Sequence, residues 1–150
     1  MKTILVPVDF SNVTENVLAA AAAAGKGFGA KLVLLFVAAP EPEFIGYDPG
    51  PSSVREAVAR QYAEEHRRLQ ELGAGLEAEG LEVTSLSVQG YAAEKILSEA
   101  EKHGAGLIVM GSHGHGMLRQ LLVGSVAEGV IREARCPVMV VPAHAKRSGG

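Results

Sequence analysis

Gly111, Gly114, Gly124 and Ser125 lie in the last third of the chain, with two residues between the first pair of glycines and nine before the third. Glycine lets the backbone turn with positive φ, and without a Cβ it lets a ligand come close to the amides. A helix opening at Ser125 would add unpaired N–H groups and the positive end of its dipole. These features describe a cradle for phosphate oxygens, with the Ser125 hydroxyl as a further donor. Ser125 and Glu128 also have the spacing of a capping box, a purely structural use of that hydroxyl. Asp9, after the first apolar run, is the other residue placed for chemistry. Its carboxylate either accepts from sugar hydroxyls or caps the helix that follows.

The remaining polar candidates carry less. His113 and His115 form an i, i+2 pair with no Cys or carboxylate beside them in sequence, which is thin support for a metal. His113 is expected to line the site and His115 to be solvated. Arg119 either reaches a phosphate or belongs to an amphipathic turn with Leu118, Leu121 and Leu122. Cys136 reads as a small buried apolar residue opening the last strand. His66, His103 and His144 read as surface residues. The chain has no G-x-x-x-x-G-K-[ST] and no G-x-G-x-x-G after its first strand, so neither a lysine-centred phosphate loop nor a dinucleotide fingerprint is present.

Elements that could position these residues follow from hydrophobic periodicity. Residues 3–8, 31–37, 106–110 and 137–141 are short apolar runs of strand length, and 81–88 alternates enough to sit at a sheet edge. Between them lie four helical patterns. The first carries Val13, Val17, Ala20, Ala21, Ala24 and Phe28, with Ser11 and Asn12 as caps and Gly27 and Gly29 at its end. The second opens on a Ser53–Glu56 capping box, carries Val54, Val58, Tyr62, Leu69, Leu72 and Leu76, and stops at Gly80. The third and fourth repeat through Ala93, Ile96, Leu97 and Ala100, and through Ala127, Val130, Ile131 and Ala134. Alternating strands and helices imply an α/β domain with a doubly wound, five-stranded parallel sheet in the order 3-2-1-4-5, covered on both faces. In such a sheet a ligand sits beyond the carboxyl ends of strands one and four. Asp9 and Gly111 follow those two strands.

Bulk properties narrow the partners. With 150 residues, 47% hydrophobic and 21% charged, the chain suits one globular domain over 1–144 with a frayed polar tail at 145–150. The net charge of −3 argues against nucleic acid, yet residues 104–150 hold five Lys/Arg against two Asp/Glu, as suits an anion site. No run reaches a membrane-spanning length and no leader is visible, so a cytoplasmic location is expected; the single Cys136 agrees with a reducing compartment. Residues 39–52, rich in Pro and Gly, form a long connection on the ligand side, with Phe44 and Tyr47 as candidates to close over it. The last strand, Val138, Met139, Val140 and Val141, falls at a sheet edge without a charge to block pairing, so a homodimer through it is expected.

Gly111-x2-Gly114-x9-Gly124-Ser125 resembles the ATP-binding signature of the universal stress protein family. The resemblance extends to Val6-Pro7-Val8-Asp9, to Ile108-Val109-Met110-Gly111-Ser112-His113-Gly114 and to Cys136-Pro137-Val138-Met139-Val140-Val141. It implies the adenine nucleotide alpha hydrolase-like fold. It further implies that Pro7, Val8 and Asp9 line an adenosine pocket, that Val37 meets the base, and that Met110 and Gly111 approach the ribose. Gly114, Gly124, Ser125 and Val126 would hold the phosphates, with Mg2+ or Mn2+ bridging phosphate oxygens. The implied function is a nucleotide-dependent stress-response module with at most slow hydrolysis. A genuine ATP-hydrolysing or nucleotide-transferring enzyme, and a dimeric scaffold without nucleotide, are the alternatives.

Overall fold

The computed structural model describes residues 1–40, 52–112 and 123–142. The chain runs β1 (Thr3–Pro7), α1 (Thr14–Phe28), β2 (Lys31–Ala38), α2 (Ser52–Glu77), β3 (Val83–Gln89), α3 (Ala92–Lys102), β4 (Leu107–Gly111), α4 (Ser125–Glu133) and β5 (Val138–Val141). The strands form one parallel sheet in the order β3-β2-β1-β4-β5, as the alternating pattern predicts. β3 and β5 are its edges.

Strand periodicity decides which side chain serves which face. Ile4 and Val6 of β1, Leu32, Leu34 and Phe36 of β2, and Leu107 and Val109 of β4 join a core under α1 and α2. Their neighbours Leu5, Val33, Leu35, Ile108 and Met110 join a second core with Ile96 and Ala100 of α3 and Ala127 and Val130 of α4. Burial of an aliphatic side chain stabilises by roughly 1.5–3 kcal/mol, so these inner strands, apolar on both faces, anchor the fold. β3, paired only with β2, has no fully buried position, in keeping with its partial alternation.

Helix ends are partly as the sequence suggests. Gly29 closes α1 in the left-handed conformation (φ 65°), its N–H bonded to the Gly25 carbonyl, and Gly80 (φ 96°) follows α2. Gly25 has a packing reason as well: a Cβ there would meet Leu81 at 3.0 Å and Leu32 at 3.1 Å. The expected N-terminal caps differ. Val13 holds the N-cap position of α1 and makes no side-chain cap bond, so Ser11 and Asn12 do not cap it. α2 already runs from Ser52, which puts Ser53 inside the helix rather than at its cap. The apolar stripe on α2 also begins late. Leu69 and Leu76 are buried, Val58 and Tyr62 are only half-buried, and Val54 is exposed, because the first half of this helix has little core beneath it.

No helix among the described residues is long and apolar enough to cross a membrane. The tail at 145–150 and nearly all of the 39–52 connection, including Phe44 and Tyr47, lie outside the described residues.

Candidate functional site

All four helices begin at the carboxyl end of the parallel sheet, and three of them, α1, α3 and α4, have described N-cap residues. Val13, Tyr91 and Gly124 are the N-cap residues of α1, α3 and α4, and none makes a capping hydrogen bond through its side chain. The first N–H groups of a helix have no intrahelical partner, and together with the dipole they present a partial positive charge of about half a unit. Thr14 at the start of α1, Ala92 at the start of α3 and Ser125 at the start of α4 all border one hollow of about 380 Å³. That hollow sits between β1 and β4, where the strand order reverses.

Every expected site residue among the described ones lines it: Pro7, Val8, Asp9, Val37, Met110, Gly111, Gly124, Ser125 and Val126. His113 and Gly114 lie outside the described residues, as do His115, Arg119 and His144. The chain nevertheless leaves and re-enters at one point. The Gly124 N–H donates to the Ser112 carbonyl at 2.7 Å, and the Ser112 N–H donates to the Val141 carbonyl at 2.8 Å. These bonds bring the two ends of the glycine-spaced segment together at the rim.

The conformations at those ends correct one part of the reasoning from glycine. Gly111 is the last residue of β4 and is absent from the positive-φ residues, while Gly124 has φ −68° and ψ 164°. Neither uses left-handed freedom. The capping-box reading of Ser125 is overturned too, because Gly124 takes the cap position and Glu128 pairs instead with Arg132, one turn on. Ser125 is exposed in the first turn of α4, and Val126 is 38% exposed beside it.

The left-handed residue at this end is Phe10, with φ 61°. It is the only non-glycine among the described residues with positive φ, a conformation costing an L-residue about 1–2 kcal/mol. Its ring centroid lies 5.0 Å from that of Phe36, and Arg68 Cζ sits 4.3 Å from the ring centre. Across this kink the Ser11 N–H donates to Asp9 Oδ1 at 3.0 Å. Asp9 therefore does local structural work just ahead of α1 while its side chain stands exposed at the mouth of the hollow.

Thr14, Leu35 and Ala92 also line the hollow without having been singled out from sequence, as do Val13, Val17, Ile96 and Ala127, which the sequence marked only as apolar helix faces. Leu35 was within reach of that reasoning, since it lies two residues before Val37 and so shares its face. Thr14 had no such signal. Its Oγ1 is buried without a hydrogen-bond partner among the described residues, as is Ser11 Oγ. Asp9 is the only ionisable side chain among the described lining residues. No group of three or more His, Cys, Asp or Glu among the described residues is arranged to hold a metal ion.

Two other expectations shift. His66 is half-buried, with Nδ1 2.7 Å from Ser87 Oγ, and His103 is half-buried with Nε2 3.4 Å from the buried Glu99, so neither is a plain surface residue. Cys136 is half-buried and precedes β5 rather than opening it. Burial pushes its thiol pKa up.

The chain is similar to several known proteins over nearly its whole length. It is 34% identical over 140 residues to the universal stress protein in the QAH/OAS sulfhydrylase 3' region of Thermus aquaticus, an overlap of 93% of this chain and 98% of the relative. Universal stress protein MJ0577 of Methanocaldococcus jannaschii is 31% identical over 153 residues, covering 93% of this chain and 94% of its own. Its solved structure superposes with a TM-score of 0.78 over 98% of both chains. The universal stress protein of Archaeoglobus fulgidus, solved in complex with dAMP, shares the fold at a TM-score of 0.62 and 24% identity, over 94% of this chain and 98% of that one. The universal stress protein family model matches residues 1–142, and the chain belongs to that family.

Proposed function

We propose that the protein binds ATP, or another adenine nucleotide, in the hollow between β1 and β4, and acts as a nucleotide-dependent stress-response module with at most slow hydrolysis. The observation that carries this reading is the convergence of three uncapped helix starts on one largely apolar hollow. Small-molecule sites are typically apolar clefts of roughly 300–1,000 Å³ with a few placed polar groups, and about 380 Å³ fits a nucleoside whose phosphates run along the mouth. Leu35, Val37 and Ile96 supply apolar walls for a base, and Asp9 accepts from ribose hydroxyls. Met110 and Gly111 approach the ribose, Gly124, Ser125 and Val126, with Gly114 from the intervening segment, hold the phosphates, and His113 lines the site.

Phosphate charge on this reading is met by backbone N–H groups and helix dipoles rather than by a lysine. A divalent ion, Mg2+ or Mn2+, would come in on the phosphates and neutralise them. Fast hydrolysis needs charge stabilisation at the γ-phosphate and a positioned water, and the chain has no lysine-centred phosphate loop to begin that machinery. The dimer through β5 belongs to the same proposal: Met139 is 39% exposed on that edge strand, and pairing two copies there would cover it. A cytoplasmic location and a single domain over 1–144 complete it.

Identification of whatever adenine nucleotide is released from heat-denatured, freshly purified protein tests the proposal, followed by titration of the stripped protein with ATP, ADP and AMP in Mg2+. Stoichiometric binding of one of them is expected. No adenine nucleotide recovered and no binding at millimolar ATP would leave the scaffold reading standing. Single-turnover hydrolysis at tens per second, lost on changing Asp9 or His113, would instead favour an enzyme.

A further inference from the structure

We infer that Phe10 is a positioning residue for the carboxylate at the mouth of the hollow: its left-handed backbone, gripped through the ring, sets where Asp9 presents its oxygens. The inference rests on the reading that Asp9 meets the ligand. A bulky aromatic is poorly suited to φ 61°, and strain of this kind persists only where the surroundings over-determine it. Here two elements do so. Phe36, 7% exposed on β2, lies against the ring, and Arg68 of α2 places its guanidinium over it.

The consequence falls on the residues either side. Asp9 Oδ1 accepts the Ser11 N–H, so the hydrogen bond spans the kinked residue itself. A return of residue 10 to negative φ would swing the Ser11 N–H away from Asp9 and remove one of the bonds that orient its carboxylate. Phe10 is not a lining residue of the hollow. It acts on the ligand only through Asp9, and the ring contacts extend that influence to α2.

Comparing Phe10→Ala with Phe10→Gly separates positioning from packing. Both delete the same ring, and alanine should lower the thermal midpoint further because only it bears the strain of positive φ. They differ in backbone: alanine keeps the left-handed strain without the grip, whereas glycine adopts that conformation freely. The first readout needs no nucleotide. Ser11 amide exchange by 15N NMR should match wild type in Phe10→Gly and be about tenfold faster in Phe10→Ala, as a local opening. The second is ATP affinity in Mg2+, expected to fall about tenfold in Phe10→Ala and to stay within about threefold in Phe10→Gly, the scale of one charge-assisted hydrogen bond.

Equal losses in both variants would reduce Phe10 to packing and overturn the inference, as would wild-type behaviour of Phe10→Ala in both readouts. If the Ser11 amide responds as expected but ATP affinity does not, and Asp9→Ala is equally silent, the inference falls through the ligand reading of Asp9 and not through the backbone geometry.

Discussion

At the carboxyl ends of β1 and β4 one hollow meets the starts of α1, α3 and α4; at the amino ends of β4 and β5 a second, of about 300 Å³, meets the ends of α3 and α4. The second is lined by Glu101, Glu133, Arg135 and Cys136 among others, and Arg135 pairs with Glu101 at 3.6 Å. The first has Asp9 as its one ionisable described side chain. The two differ because every unit of a parallel sheet points the same way, so helix starts gather at one end and helix stops at the other. Donors and positive dipole ends collect where the ligand is expected, while carbonyls and negative ends collect opposite. Hollows of similar size thus offer opposite electrostatics, and size alone does not mark a site.

The largest expected effect tests that contrast directly. Gly124→Val should weaken ATP binding at least about 100-fold, equivalent to roughly 2.7 kcal/mol, because the added side chain enters space the phosphates need. The backbone at φ −68° and ψ 164° accepts valine, so the fold should survive. Glu101→Ala at the amino end should leave ATP affinity within about twofold, since exposed pairs of this kind contribute little. Calorimetric titration of both variants is the check, and comparable losses in the two would abolish the distinction between the ends.

A smaller effect sharpens the role of one hydroxyl. Ser125→Ala should cost about 20-fold in ATP affinity, near the low end of the scale for a hydrogen bond to a charged group. Loss of a true helix cap would instead destabilise the protein by about 1 kcal/mol. Gly124 occupies the cap position here, so the thermal midpoint should not move. A lowered midpoint with unchanged affinity would restore the capping-box explanation.

The sheet order was legible because burial on both faces makes β1, β2 and β4 continuous apolar runs, and because right-handed crossovers leave few ways to connect them. Asp9 and Gly111 were legible as the residues that follow strands one and four at the switch point, and Gly124 through its spacing before a helix, whereas Val37 and Met110 came only through the family resemblance. Phe10 was not legible. Nothing in its type announces positive φ, and the residues its ring packs on, Phe36 and Arg68, are distant in sequence. Capping failed for a related reason: Ser11, Asn12 and Ser53 have the right chemistry near helix starts, but the entry path of the chain decides which residue stands at the cap. Thr14 and Ala92 line the hollow as a matter of helix placement, which composition does not encode.

The smallest effect concerns the amino end and alkaline pH. Burial raises the Cys136 thiol above its ordinary value of 9.0 and the Tyr62 hydroxyl above 10.0. Both groups favour the protonated form when folded, so their contribution to stability is intact below the unfolded-state pKa and is lost as pH rises through the raised folded value. Stability from these groups should therefore be flat up to about pH 8.5 and fall above it, and Cys136→Ser should soften the early part of that fall. At pH 7.5 the folded protein should be alkylated by iodoacetamide several-fold more slowly than the same chain in urea, roughly as its thiolate fraction and access dictate. Because Cys136 lines the hollow opposite the proposed nucleotide site, the alkylated protein should still bind ATP with unchanged affinity. A loss of binding on alkylation would mean that the two ends communicate, and the opposition between them would then describe a coupled pair of sites.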